Sequence, residues 1–165
     1  MLAIGSPAIA SHAGRECNTR TMPRRRSRTG TTDADAAAPI LFVDAGLASG
    51  WRRAALDLAQ LDEVLDAARQ SIPDCVVLAD ASLKWSLPSD QQDRFEELRA
   101  SAQVLCAPGG TKGGHHEFFA AAARAAAGSG RDVWVLCGLD LGSGPWRVAR
   151  LRRPDGAWVI EMPDD

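Results

Sequence analysis

Four short apolar runs alternate with segments of helical periodicity, and that alternation leaves the chain few folds to choose from. The runs are Pro39 to Asp44, Cys75 to Asp80, Ala102 to Ala107 and Asp132 to Cys137. Each is rich in aliphatic, β-branched or aromatic residues and bounded by turn formers, the pattern of a strand buried on both faces. Between the first two lies a long segment from about Trp51 to Ser71. Leu58, Leu61, Val64 or Leu65, and Ala68 recur there at steps of three and four, with Asp57, Asp62, Glu63, Asp66 and Arg69 opposite them. That spacing predicts an amphipathic helix, ended by Ile72-Pro73 because proline disfavours helical geometry in the residue before it. Ser89 is the expected N-cap of a second helix reaching about Ala100, and a third runs from His115 to about Ala127 before a Gly-Ser-Gly break. Strands and helices in this order predict an α/β fold: right-handed crossovers and a mostly parallel sheet covered on both faces, three layers deep.

The chain closes differently. Trp146 to Leu151 and Ala157 to Ile160 flank Arg152-Arg153-Pro154-Asp155-Gly156, and Asp-Gly between two such runs predicts a C-terminal β-hairpin at the sheet edge. Arg147, Arg150, Arg152 and Arg153 would form a basic strip on it, or only the charge that edge strands carry against aggregation.

Residues 39–165 read as one domain and residues 1–38 as a disordered tail rich in Arg, Ser and Thr. The tail holds six of the 19 Lys and Arg but only three of the 21 Asp and Glu, so the domain itself is acidic. Arg24-Arg25-Arg26 with Arg28 would neutralise phosphates non-specifically; the alternative is a solvated extension, or translation from Met22. No stretch reaches the roughly 18 apolar residues of a membrane helix, and Met1 to Gly14 lacks the charged leader of a secretory signal. Cys17, Cys75, Cys106 and Cys137 have no Cys-x-x-Cys spacing and read as reduced core thiols. The expectation is a soluble, cytoplasmic protein, free to form homo-oligomers, with no membrane partner and no dinucleotide cofactor.

Strand ends supply the candidate chemistry. Asp44 and Asp140 follow the first and fourth strands, and the carboxyl edge of a parallel sheet opens into a crevice where ligands bind. Two carboxylates there would hold Mg²⁺ or Mn²⁺ and turn a bound water on a phosphodiester. For Asp44 the competing reading is a cap on the next helix; for Asp80, after the second strand, a cap is the preferred reading. The loop Gly109-Gly110-Thr111-Lys112-Gly113-Gly114 feeds a helix N-terminus, where free N–H groups attract anions. It matches neither the P-loop nor the dinucleotide pattern, so Gly110 and Lys112 are phosphate contacts or merely a flexible connection. His115 and His116 point about 100° apart on a helix and cannot both serve one ion, although one of them with Glu117 or Asp44 can, and either can act as a general base.

Val-Asp-Ala-Gly at a strand end, a later Gly-rich loop and helix, and Val-Leu-Cys-Gly-Leu-Asp together resemble the PIN-like nucleases, in particular the NYN branch and Regnase-type ribonuclease domains. The likeness spans about residues 39 to 141. In that branch the first strand ends in D-G-x-N, a helix opens with D-D-x-[FI]-[IL], and the last core strand ends in S-N-D. Asp44 and Asp140 match the outer aspartates, and Phe118-Phe119 align the helix opening, but His115-His116 stand where the family has two aspartates. Leu47 replaces its asparagine, and Gly138-Leu139 replace Ser-Asn.

The resemblance implies a PIN-like, Rossmann-like fold and a metal-dependent endoribonuclease. Asp44, Asp140 and Glu117 would be the metal ligands, His115 or His116 a ligand or base, and Lys112, Gly110 and Arg147 the RNA contacts. Two histidines for two aspartates weaken a site for a hard ion and move its preference toward softer metals. A catalytically silent PIN-like module that binds protein or nucleic acid, and a domain for a small phosphorylated ligand, are the alternatives.

Overall fold

The computed structural model describes residues 37–50 and 55–163. Four parallel strands form where the apolar runs predict them: β1 (Ala37–Asp44), β2 (Cys75–Ala79), β3 (Val104–Cys106) and β4 (Arg131–Leu136). A fifth, β5 (Arg147–Val148), completes a sheet in the order β3-β2-β1-β4-β5, every pair parallel. Because β1 is central and the order runs away from it both ways, the switch point lies between β1 and β4.

β1 is buried on both sides, and its alternation sorts the core into two layers. Leu41 and Val43 join Val77, Val104, Trp134 and Leu136 under α2 (Leu58–Ser71) and α4 (Ser89–Ala100), which supply Leu58, Leu61, Val64, Leu65, Ala68 and Phe95. Ile40 and Phe42 join Leu78, Val133 and Val135 under α5 (Gly114–Gly128), which supplies Phe119 and Ala123. Period-two alternation with both sides apolar is what a three-layer α/β/α domain demands of its central strand.

Several boundaries differ from the sequence reading, each for a local reason. β1 opens at Ala37, two residues inside the expected tail; the rest of that tail lies outside the described residues. The first long helix starts at Leu58, because Asp57 caps it by accepting from the Ala59 N–H at 2.9 Å. The expected start at Trp51 lies outside the described residues. Two four-residue helices, α1 (Ala45–Ala48) and α3 (Leu83–Ser86), occupy stretches read as loops. Ser89 is the first helical residue of α4 rather than its cap, which falls at Pro88.

The closing segment splits where one hairpin arm was expected. Ala149 turns inward at 3% exposure and its N–H donates to the Val135 carbonyl at 2.8 Å, so Arg147 and Val148 join the main sheet. Only β6 (Arg150–Arg152) and β7 (Val159–Glu161) make the antiparallel hairpin, with Asp155 and Gly156 both at positive φ in its turn. It packs on α2, where Trp158 Nε1–H donates to Glu63 and Arg153 pairs with the same carboxylate.

Candidate functional site

Asp44 ends the central strand at 7% exposure. Its Oδ1 accepts from the Gly46 N–H at 3.0 Å, which caps α1, and from the Nε2–H of His115 at 3.3 Å. The cap reading therefore holds for this residue, and its side chain also lines the cavity described below. The geometry of α5 delivers His115. Gly113 precedes the helix at φ +81°, and a Cβ on it would lie 2.7 Å from that of Glu117, so a glycine is required there. His115 then turns inward, its ring edge-on to Phe119 at 6.0 Å, and its Nδ1 is buried without a partner among the described residues.

Asp44 and His115 share a cavity of about 110 Å³ with Gly46 and Leu47 after β1, Asp80 and Leu83 after β2, and Gly138 and Leu139 after β4. That is room for several waters, each of which needs about 10–15 Å³. The cavity sits over the carboxyl ends of β1, β2 and β4, at the place where α/β sheets of this order bind ligands. Asp80 is held below the usual carboxylate range, first by hydrogen bonds from the Ser82 hydroxyl and N–H, and in smaller part by the nearby His115. It thus caps its own turn, as expected, and lines the cavity as well.

The other expected residues lie elsewhere. Asp140 is exposed and its Oδ1 accepts from the Gly142 N–H at 3.0 Å, closing a turn. His116 is exposed and donates from Nε2 to the Asp140 carbonyl at 2.6 Å. Adjacent positions on α5 thus send one imidazole to Asp44 and the other to the Asp140 backbone, as the 100° step requires. Glu117 pairs with Arg124 two turns along the same helix. Arg147 pairs with Asp132 and stacks on Trp134 with 4.1 Å from guanidinium carbon to ring centroid, which keeps it on the edge strand. Gly110 and Lys112 are exposed in the loop before α5, and neither lines the cavity.

Of the three carboxylates expected to hold Mg²⁺ or Mn²⁺, only Asp44 reaches the cavity. Among the described residues no group of three or more His, Cys, Asp or Glu is placed to hold a metal ion. A hard divalent ion takes several oxygens at once, and the donors as arranged here do not fit one.

Leu47, Leu83 and Leu139 form the cavity walls. The first and last stand at positions the resemblance singled out as departures, whereas nothing in the type or spacing of Leu83 marks it. Glu117 and Arg124 did carry a signal, since seven residues on a helix return to the same face. The three described cysteines are free, and burial pushes the Cys75 thiol up to about 11.

Fold and site together define a three-layer α/β domain with a small, mostly apolar crevice at its strand-order switch, into which Asp44, Asp80 and His115 bring polar groups. No family model matches the chain, and no curated protein or solved structure matches it at a significant level. Among the described residues no helix is long and apolar enough to cross a membrane.

Proposed function

We propose that the chain is a PIN-like domain that takes single-stranded RNA at the crevice beside β1 and β4 and hydrolyses a phosphodiester there. The observation that carries this reading is the meeting of Asp44, Asp80 and His115 around one cavity at the strand-order switch. The imidazole in that cavity is the group suited to proton transfer. Asp44 accepts from His115 and fixes that ring. His116 is held to the Asp140 carbonyl and does not line the cavity, so proton transfer there falls to His115, which would take a proton from the attacking water and return one to the oxygen that leaves. A cytoplasmic location and RNA as partner belong to the same proposal, and three free cysteines suit a reducing compartment.

A second reading has its own support. Asp44 is already satisfied by Gly46 and His115, and Glu117 by Arg124, as in a module that binds RNA without cleaving it. One experiment separates the two. Labelled single-stranded RNA is incubated with the wild type, Asp44→Asn and His115→Ala in Mn²⁺, Mg²⁺ or EDTA. Cleavage that both substitutions abolish and EDTA spares assigns the reaction to the imidazole. Cleavage that EDTA abolishes returns a metal to the site. RNA bound but intact under every condition leaves the binding module.

A further inference from the structure

Trp85 is 73% exposed, the most exposed large apolar side chain among the described residues. An indole left in water needs a reason, and its position supplies one. It sits on α3, whose Leu83 is 1% exposed and forms a wall of the crevice with Asp44, Asp80 and His115. The turn that carries it is tied to Asp80: the Leu83 N–H donates to the Asp80 carbonyl at 3.0 Å, and the Trp85 N–H to the Ser82 carbonyl at 3.0 Å. The backbone that carries the ring is therefore tied to the edge of the crevice. Trp85 stands two residues after Leu83, which lines the crevice, and five after Asp80. Stacked nucleotides rise ~3.4 Å each, so a strand of a few nucleotides suffices to join positions so close in the chain.

The ring is also prepared on one side. Lys84 Nζ lies 5.1 Å from its centroid, and the same ammonium is anchored to Glu96 Oε1 at 3.0 Å. An ammonium over one face of an indole is attractive and steadies the ring, while the opposite face remains available. A flat aromatic face beside a site for a phosphodiester suits an unpaired base, because every base has a π face and stacking does not depend on sequence.

We propose that Trp85 is the platform on which an unpaired RNA base stacks while a nearby phosphate of the same strand occupies the crevice. Lys84 acts as a positioning residue that holds the indole. The proposal rests on the RNA-binding part of the reading above and is indifferent to whether the bound strand is cut. It gives the site a substrate class: single strands with at least one unstacked base, in preference to duplexes.

The test is fluorescence anisotropy with fluorescein-labelled oligouridylate and oligoadenylate, and with a duplex of the two. Wild type is compared with Trp85→Ala and Trp85→Phe. Trp85→Ala is expected to weaken single-strand binding about tenfold or more, with Trp85→Phe between it and the wild type, and to leave duplex binding unchanged. Circular dichroism confirms folding, which an exposed residue does not threaten. Equal single-strand affinity for wild type and Trp85→Ala overturns the stacking platform while leaving RNA binding intact. Absence of wild-type binding to any RNA overturns the parent reading and the platform with it. If Trp85→Ala instead turns a dimer into a monomer in sedimentation while RNA affinity holds, the indole is a protein-docking anchor and the platform is overturned.

Discussion

Asp44 and Asp140 look alike in the sequence, each closing an apolar run, yet the fold gives them different work. Asp44 is the last residue of the central strand, is buried, and joins a helix cap to an imidazole from α5. Asp140 lies four residues beyond the end of β4, is exposed, and closes a turn onto Gly142. A motif such as strand then aspartate fixes a side chain's neighbourhood only when the strand's place in the sheet is known. A central strand delivers its last residue to the crevice; a few residues of loop are enough to lose that position.

The largest effect that bears on this contrast comes from the support beneath His115. Phe119 is fully buried, meets Phe42 edge-on at 6.4 Å and lies against the His115 ring. Phe119→Ala is expected to cost about 3–5 kcal/mol in urea unfolding and to free His115 from Asp44.

Next is the direct comparison of the two aspartates. Asp44→Ala removes the α1 cap and leaves the His115 donor unpaired, an expected loss of about 1–3 kcal/mol. Asp140→Ala removes one exposed turn bond and should fall within about 0.5 kcal/mol. Equal losses from the two substitutions would erase the distinction between them.

Asp80 sharpens the comparison through pH. Its carboxyl is held below the ordinary value of 3.8 by Ser82. A carboxyl whose folded value is depressed adds stability above its unfolded value and loses it as pH falls through the folded one. Asp80→Asn should therefore be less stable than the wild type near neutrality, with the gap shrinking as pH drops below 3.8 in acid-unfolding curves. A gap that is constant with pH would mean that Ser82 does not distinguish the ionised form.

The smallest expected effect is at Glu117. Its pair with Arg124 is half exposed, and Glu117→Gln should change stability by no more than about 0.5 kcal/mol, a difference that high salt removes.

How much of this was legible in the chain follows from the range over which each signal acts. β1 to β4 and the three long helices are written in periods of two and of three to four residues, so their existence and order could be read directly. β5 could not, because Arg147 and Val148 are two residues with no pattern, and only the inward turn of Ala149 takes them out of the hairpin. The four-residue α1 and α3 are too short for any periodicity.

In the site, Asp44 and His115 were each visible as candidates, since a polar residue at a strand end or helix start is locally unusual. Their contact joins positions 71 residues apart, and only the sheet order makes it. Arg147 was misplaced for the same reason: its stacking on Trp134 depends on the register of β5 against β4.

The most direct test of the central claim, that RNA meets this protein at the crevice ended by Asp44, is a two-dimensional NMR titration of isotope-labelled protein with oligouridylate. The account predicts shift changes concentrated at Asp44 to Leu47, Asp80 to Trp85, His115 and Gly138 to Leu139, and largely lost in Asp44→Asn. Changes confined to the hairpin arginines at 150, 152 and 153, or no changes at all, would contradict it.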